Sequence, residues 1–338
     1  MPHPAIVLTE GSPYALSYTE VALPALAPGE VTLQVAYAAL NRRDEWIRQG
    51  KYPGIVPGTV LGSDGAGTVT ALGPGVDPSW LGRQVLVNPN LGWGPDPRAQ
   101  AKGYTILGMP RWGTLQQLLN VPTDRLHPIP AHLSLAQAAA LPLAGMTAYR
   151  ATRVKGEVGP GQRVLVTGVG GGVALLAAQI AQAAGAQLWV TTGGADKVAA
   201  IQALGFAQVI DYREPDWAKQ TLLATGGFDV VIDSAMGPTA NTLIDLTRPG
   251  GRIIFYGATL GRPAELNVHK LFWNQVRLEG STMASDDDFA ALLGFVAEHR
   301  ITPQVHSLTP LAHAEAAFDL LKAGGQVGKL VIEVTGAG

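Results

Sequence analysis

A glycine-rich turn between an apolar run and a helical segment has the residue types needed to bind a phosphate. Residues 163–174 read RVLVTGVGGGVA, with glycines at positions 168, 170, 171 and 172. Glycine permits the backbone angles of such a turn and leaves the amides bare, and the N-terminus of the following helix attracts an anion. The spacing Gly168-x-x-Gly171-x-x-Ala174 satisfies a loose form of the dinucleotide fingerprint. The residues expected to bind the pyrophosphate are Gly168, Gly171, Gly172 and Val173.

The end of the next strand indicates which dinucleotide is bound. An NAD site usually has an Asp or Glu about 20 residues beyond the turn, where it binds the ribose hydroxyls. Here this place reads TTGG at residues 191–194 and has no carboxylate to repel a 2′-phosphate. Lys197 and the pair Tyr212-Arg213 are near enough in such a fold to hold it, although Lys197 also fits a solvated lysine on an exposed helix. We therefore predict that the cofactor is NADPH, bound by Lys197 and Tyr212. Ser234 and Gly257 are predicted to bind the cofactor as well.

Strand and helix patterns alternate around this turn. Continuous apolar runs at 164–166, 230–232 and 253–255 are typical of parallel strands covered on both faces. We expect a doubly wound α/β sheet. Its predicted strands are 163–167, 187–192, 208–211, 229–233 and 251–256, with 276–279 as a sixth, and its predicted helices are 172–184, 195–204, 215–224 and 238–247.

The rest of the chain has a different pattern. Residues 1–125 contain short β-like runs between glycines and prolines, which predicts a loop-rich β domain. The segments 286–298 and 311–320 are amphipathic, and 329–334 reads as a strand, so we expect this tail to return to the β domain. The predicted domains are therefore 1–125 with 285–338, and 126–284.

Composition limits the possible functions. The chain has 338 residues, no cysteine, a formal net charge of -2 and only 15% charged residues. Disulfides, thiolate metal sites and cysteine nucleophiles are excluded, and no basic field is available for nucleic acid or an anionic membrane. We expect a cytoplasmic protein without a signal peptide that acts on a small-molecule substrate. The histidines have no metal-binding spacing, and we assign no residue to a metal.

Residues 62–76, GSDGAGTVTALGPGV, resemble the signature of zinc alcohol dehydrogenases in every glycine position. The whole chain is similar to the medium-chain dehydrogenase/reductase superfamily, which implies a GroES-like catalytic domain and a Rossmann domain. Ser63 and Asp64 stand where the family has His and Glu, and Asn41 and Leu143 occupy the places of two cysteines. The loop 88–112 lacks the four cysteines of zinc-containing relatives. The resemblance therefore implies that both zinc sites are lost.

Residues 161–182 resemble the quinone oxidoreductase signature but depart from it at Val169, Ala174 and Gln182. Without a metal, a simple alcohol has no Lewis acid to ionise it, whereas hydride enters a conjugated carbonyl at its β-carbon if donors hold the enolate oxygen. The resemblance implies an NADPH-dependent reductase of quinones or α,β-unsaturated carbonyl compounds, and a homodimer. Alternatives are a metal-independent enoyl-thioester or other carbonyl reductase and a non-enzymatic NADPH-binding protein.

Three further residues are candidates for the reaction site. The Asn41 amide is suited to donate to a carbonyl or to the nicotinamide ribose, although a turn-forming asparagine is an equal alternative. Tyr52, in GKYP, resembles the G-x-Y-P tyrosine proposed as proton donor in enoyl-thioester reductases of the superfamily; simple packing beside proline is the alternative. Thr147, in LAGMTAY, occupies the position of the threonine that the family places beside the nicotinamide.

Overall fold

The computed structural model describes residues 2–335, which form two compact units. Within the described residues, the first unit contains 2–143 and 285–335, and the second is Ala144–Ala284. The sequence placed the first boundary earlier, between residues 125 and 126. The segment after that point stays with the first unit because the strand Leu126–Pro128 pairs with Gln84–Val87, and the next helix packs on the same sheet.

The first unit begins with nine strands and two short helices. They are β1 (Pro2–Thr9), β2 (Ala15–Ala22), β3 (Glu30–Ala39), α1 (Arg42–Arg48), β4 (Asp64–Leu72), β5 (Gln84–Val87), β6 (Asn90–Leu91), β7 (Thr105–Ile106), β8 (Leu118–Pro122), β9 (Leu126–Pro128) and α2 (Leu135–Ala139). Helix α2 begins after Ser134, whose hydroxyl accepts from the Gln137 amide as a side-chain cap.

The second unit is an all-parallel sheet with interleaved helices. Its elements are α3 (Pro142–Tyr149, continued by a π-helical turn over Arg150–Lys155), β10 (Arg163–Val166), α4 (Gly172–Ala183), β11 (Gln187–Thr192), α5 (Ala195–Ala203), β12 (Val209–Asp211), α6 (Trp217–Thr225), β13 (Phe228–Asp233), α7 (Ala240–Leu246), β14 (Thr247–Phe255), α8 (Val268–Trp273) and β15 (Arg277–Gly280). The strand order is β12-β11-β10-β13-β14-β15. This order reverses direction at β10, as in doubly wound nucleotide-binding sheets. The predicted fold class and the sixth strand are confirmed.

The C-terminal segment returns to the first unit, as predicted. It consists of α9 (Asp286–His299), β16 (Val305–Pro310), α10 (Ala314–Ala323) and β17 (Lys329–Glu333). Strand β17 pairs antiparallel with β3, and β16 pairs with β17. The resulting sheet has the order β16-β17-β3-β4-β5-β9, with β8 also paired to β3. Its apolar face encloses a core that includes Leu33, Phe318 and Ile332. None of the helices within residues 2–335 is long and apolar enough to cross a membrane.

Polar and aromatic contacts hold the loop 88–112, where zinc-containing relatives carry four cysteines. The Asp286 carboxylate accepts from Asn88 at 3.0 Å and from Arg125 at 2.7 Å. Tyr104 donates to Asn90 at 2.5 Å and stacks edge-on against Trp93. Burial raises the pKa of Tyr104, so its hydroxyl stays a donor at neutral pH. These contacts tie the loop to Arg125 and Asp286 of the same unit.

Candidate active site

The glycine turn of the second unit leaves its backbone open. Gly168 has a φ of +63°, which favours glycine, and Gly171 is the N-cap of α4. A Cβ placed at either position would meet nothing within 4 Å. The space beside the first turn of α4 is therefore available to a ligand. The backbone amides of this turn include those of Gly172 and Val173. This arrangement fits a pyrophosphate.

Neighbouring strands bring other predicted cofactor residues to the same carboxyl edge. The Gly168 amide donates to Thr191 Oγ1 at 3.1 Å, which joins the turn to the end of β11. Ser234 follows β13 and Gly257 follows β14. A Cβ at Gly257 would lie 3.1 Å from the Ser234 carbonyl oxygen, so these segments are close together. Parallel sheets bind nucleotides at this edge where the strand order reverses.

Tyr212 and Arg213 lie over the pair of glycines that follows β11. A Cβ at Gly193 would be 2.5 Å from Tyr212 Oη, and one at Gly194 would be 2.9 Å from Arg213 Nη1. Lys197, on α5, is half-buried. The structure thus brings a phenol and a guanidinium to the position where the sequence predicted a 2′-phosphate.

One carboxylate that sequence reasoning did not consider lies near this position. Asp211, at the end of β12, accepts from the Gly194 amide at 3.0 Å and from the Arg213 amide at 2.9 Å. These backbone hydrogen bonds lower the pKa of Asp211, so the group is ionised at neutral pH. Its negative charge lies beside the glycine pair, where the sequence predicted no carboxylate.

Thr147 lies on α3 in the second unit and is buried. Its Oγ1 is 3.9 Å from the sulfur of Met283, near the other end of this unit's sequence. A threonine hydroxyl can donate and accept, so Thr147 is chemically suited to contact an amide.

In the first unit, three adjacent strands bring polar side chains to one end of the sheet. Asp64 is the first residue of β4 and lies opposite Ala39 of β3. Asn41 follows β3 as the N-cap of α1, and Lys329 begins β17, the other neighbour of β3. Asn41, Asp64 and Lys329 are therefore brought together by strand pairing, although the side chains come from opposite ends of the chain. We call these three residues the Asn41–Asp64–Lys329 cluster.

The cluster is a buried hydrogen-bond network. Lys329 Nζ donates to Leu40 O at 2.8 Å, to Asn41 Oδ1 at 2.6 Å and to Asp64 Oδ2 at 3.1 Å. Asn41 Nδ2 donates to Asp64 Oδ2 at 2.9 Å, and the Leu143 amide donates to Asp64 Oδ1 at 2.7 Å. The side chains of Lys329 and Asp64 are 4% and 0% exposed. Every proton of the ammonium thus has an oxygen acceptor.

Asp44 fixes the backbone of Asn41 from the other side. Its Oδ2 accepts from the Asn41 amide at 2.8 Å. Its Oδ1 lies 4.0 Å from Arg43 Nη1 and has no hydrogen-bond partner among residues 2–335. Burial raises the pKa of Asp44 in spite of the nearby cations. These contacts give Asp44 a structural role at the start of α1.

Tyr52 is held by an arginine that the sequence did not single out. The Arg43 guanidinium lies 5.1 Å from the centre of the Tyr52 ring, and its Nε is 3.5 Å from the phenol oxygen. Arg43 Nη1 also donates to Ser63 Oγ at 2.6 Å and to Leu107 O at 3.0 Å. Tyr52 is half-buried. A cation over the ring face attracts its π-electrons and fixes its orientation.

The residues at the positions that align with the zinc site of zinc alcohol dehydrogenases do not fit a zinc ion. Zinc sites use thiolate, imidazole and carboxylate ligands, whereas the oxygens grouped here belong to one amide, one carboxylate and one backbone carbonyl. All three accept from the Lys329 ammonium. In the described part of the chain, no group of three or more His, Cys, Asp or Glu residues is arranged to hold a metal. Ser63, at the histidine position, donates to Leu107 O at 2.8 Å.

Comparisons with known proteins cover both units. The family model of the alcohol dehydrogenase GroES-like domain matches residues 27–131, and that of the zinc-binding dehydrogenase matches residues 172–298. A zinc-type alcohol dehydrogenase-like protein, YogA, of Leptosphaeria maculans is 34% identical over 341 residues, covering 95% of each chain. Quinone oxidoreductase 1 of Escherichia coli is 27% identical, covering 95% of this chain and 96% of the relative. A crystal structure described as an NAD-dependent alcohol dehydrogenase is 36% identical, with a TM-score of 0.92 over 98% of this chain and 99% of the other.

Proposed function

Because this chain belongs to the medium-chain dehydrogenase/reductase superfamily of oxidoreductases, we propose that it is an NADPH-dependent reductase of quinones or α,β-unsaturated carbonyl compounds that works without a metal ion. The observation that carries the proposal is the Asn41–Asp64–Lys329 cluster. In it the Lys329 ammonium donates to side-chain oxygens of Asn41 and Asp64, at positions that align with the zinc site of zinc alcohol dehydrogenases. An alcohol would lack a Lewis acid there. A conjugated carbonyl needs only hydrogen-bond donors for its oxygen.

The reduction of an enone places specific demands on the side chains. NADPH, when bound, supplies a hydride, which forms a C–H bond at the β-carbon while the C=C electrons move to give an enolate. We assign the Asn41 Nδ2 amide to donate to the developing enolate oxygen or to the nicotinamide ribose. Tyr52 or water then delivers a proton to the α-carbon. Arg43 holds Tyr52 through the contact between guanidinium and ring.

We assign cofactor binding to the second unit. Gly168, Gly171, Gly172 and Val173 bind the pyrophosphate through the open first turn of α4, and Ser234 and Gly257 lie at the same edge of the sheet. Thr147 is assigned to the nicotinamide. Lys197, Tyr212 and Arg213 are assigned to the 2′-phosphate. One relative is described as NAD-dependent, so both cofactors belong in every test.

Replacing Lys197 with alanine is expected to raise the Kd for NADPH about ten-fold or more, because one charge-assisted hydrogen bond to the phosphate is lost. The Kd for NADH, which lacks the phosphate, should change little. Fluorescence titration of both cofactors measures the ratio. The matched control is Lys219→Ala, since Lys219 is an exposed lysine on α6. Equal weakening of NADPH and NADH binding by K197A would contradict the assignment.

We also propose that two copies associate through the β15 side of the second unit. Strand β15 is the last strand of the sheet order, and the adjacent helix α8 exposes Phe272 and Trp273 at 65% and 80%. Large exposed apolar side chains beside a strand that has one unpaired edge favour a partner surface. Trp273→Glu is expected to shift the protein towards monomer in sedimentation velocity. Leu223→Glu, which alters a 79% exposed residue on α6, should leave the oligomer unchanged. A wild-type monomer at micromolar concentration would contradict the proposal.

The proposed activity is tested with matched pairs of acceptors. Purified protein is mixed with NADPH or NADH and with a quinone, but-3-en-2-one, its saturated analogue butan-2-one, and an enoyl thioester. We expect NADPH oxidation with the quinone or the enone and none with butan-2-one. Turnover confined to the thioester would favour an enoyl-thioester reductase. Tight NADPH binding without oxidation by any acceptor would favour a non-enzymatic NADPH-binding protein.

A further inference from the structure

Lys329 lies in the candidate active site, but none of the motifs that predict the site includes it. We propose that Lys329 is a positioning residue for the reduction: its ammonium fixes the Asn41 amide so that Nδ2 is the group presented to the substrate or cofactor. This inference rests on the proposed function, because it assigns a role within that reaction. It concerns side chains of the first unit only.

The position of the ammonium is strongly determined. Its three protons have three acceptors, at 2.8 Å on Leu40, 2.6 Å on Asn41 and 3.1 Å on Asp64. The side chain is 4% exposed and Asp64 is fully buried. A buried charge is tolerated only when it is paired and hydrogen-bonded, and this cluster satisfies both conditions.

The neighbours of Asn41 determine which way its amide faces. An ammonium has only donors, so the Asn41 atom 2.6 Å from Lys329 must be the carbonyl oxygen. An ionised carboxylate has only acceptors, so the atom 2.9 Å from Asp64 must be the nitrogen. Lys329 and Asp64 therefore enforce the same orientation. Either neighbour alone would leave one end of the amide less constrained.

One donor of Asn41 remains for a ligand. The amide nitrogen has two protons, and the contact with Asp64 accounts for one; within residues 2–335 the other has no partner. The bond from Lys329 to Oδ1 polarises the amide and strengthens Nδ2 as a donor, as in cooperative hydrogen-bond chains. A stronger donor favours the developing negative charge of an enolate oxygen over a neutral carbonyl oxygen. Loss of Lys329 should thus lower kcat more than it raises KM.

Chemical rescue tests this role directly. Lys329→Ala should reduce kcat on the order of 10- to 100-fold, the range for a lost hydrogen bond to a charged group. Ethylammonium chloride, which returns both the charge and the N–H donors, should restore kcat in a saturable manner and raise the Tm of the variant. Tetramethylammonium chloride at the same concentration is the control, because it has the charge without donors. Lys155→Ala, which removes an ion pair in the second unit, should keep wild-type kcat and show no response to either salt.

A second variant separates positioning from charge balance. Lys329→Met combined with Asp64→Asn removes both charges, so it should fold even if K329A does not. We expect a Tm near that of the wild type and a kcat that stays at least about ten-fold low, because the Lys329 donor that holds Asn41 Oδ1 is gone. Wild-type kcat in this double variant, or equal rescue of K329A by both ammonium salts, would overturn the proposal. The Tm response needs no turnover, so it is informative even if the wild type reduces none of the acceptors.

Discussion

Asp64→Ala is expected to lower the free energy of unfolding by about 3–5 kcal/mol, the cost of removing one partner of a buried ion pair. The variant leaves the Lys329 ammonium 4% exposed, without its carboxylate. Asn41 Nδ2 and the Leu143 amide lose their acceptor as well. Urea unfolding monitored by circular dichroism measures the change.

The control for D64A is a carboxylate in an exposed ion pair. Asp245 pairs with Lys270 at 2.5 Å, but its side chain is 51% exposed. Asp245→Ala should therefore cost less than about 1 kcal/mol, as surface ion pairs do. If D64A destabilises the protein no more than D245A, the Asn41–Asp64–Lys329 cluster is not the buried network described above.

Gly113→Ala is expected to prevent folding or to cost more than about 4 kcal/mol, which is rare for a single substitution. A Cβ at this position would lie 1.8 Å from Gly62 O, where two segments of backbone cross. The clash is with a carbonyl oxygen that accepts from the Thr114 amide at 3.0 Å, so no flexible side chain can move away. Gly62 directly precedes Ser63 and Asp64, so the substitution should also displace the candidate site.

A glycine in open space provides the comparison for G113A. Gly159 has no positive φ, and a Cβ there would meet nothing within 4 Å. Gly159→Ala should be neutral or stabilise the protein by up to about 1 kcal/mol, because it reduces the freedom of the unfolded chain. Similar unfolding curves for G113A and G159A would show that the crossing of residues 62 and 113 is looser than described.

The nucleotide-binding unit could be predicted well because its information is local. An apolar run, a glycine turn and an alanine-rich helix follow one another within residues 163–184, and each pattern specifies its own element. The short helix α8 was missed, since its exposed side chains Val268, Phe272 and Trp273 give it no amphipathic pattern with a buried face.

The candidate reaction site could be predicted only in part because its residues are far apart in sequence. Asn41 and Tyr52 were predicted from motifs, but Lys329 is separated from Asp64 by 265 positions and meets it only through the pairing of β17, β3 and β4. One signal was available in the sequence. Lys329 is a charged residue at the start of an apolar strand, a position where a buried partner is needed. Arg43 gave no such signal.

The comparisons show that the chain belongs to an oxidoreductase family. The side chains at the zinc-aligned positions bear on a narrower question, which is whether its reaction needs a metal ion. Relatives of this chain include proteins described as zinc-type alcohol dehydrogenases and as a quinone oxidoreductase. The oxygens at the zinc-aligned positions of this chain accept from an ammonium. We propose on this basis that hydride transfer to a conjugated acceptor proceeds here without a metal ion.

The most direct test measures NADPH oxidation by an enone or quinone before and after exhaustive chelation, with the metal content of both samples determined by elemental analysis. We predict an unchanged rate and no stoichiometric zinc in either sample. Stoichiometric zinc in the purified protein, together with loss of the rate on chelation and its return when zinc is added, would contradict the account.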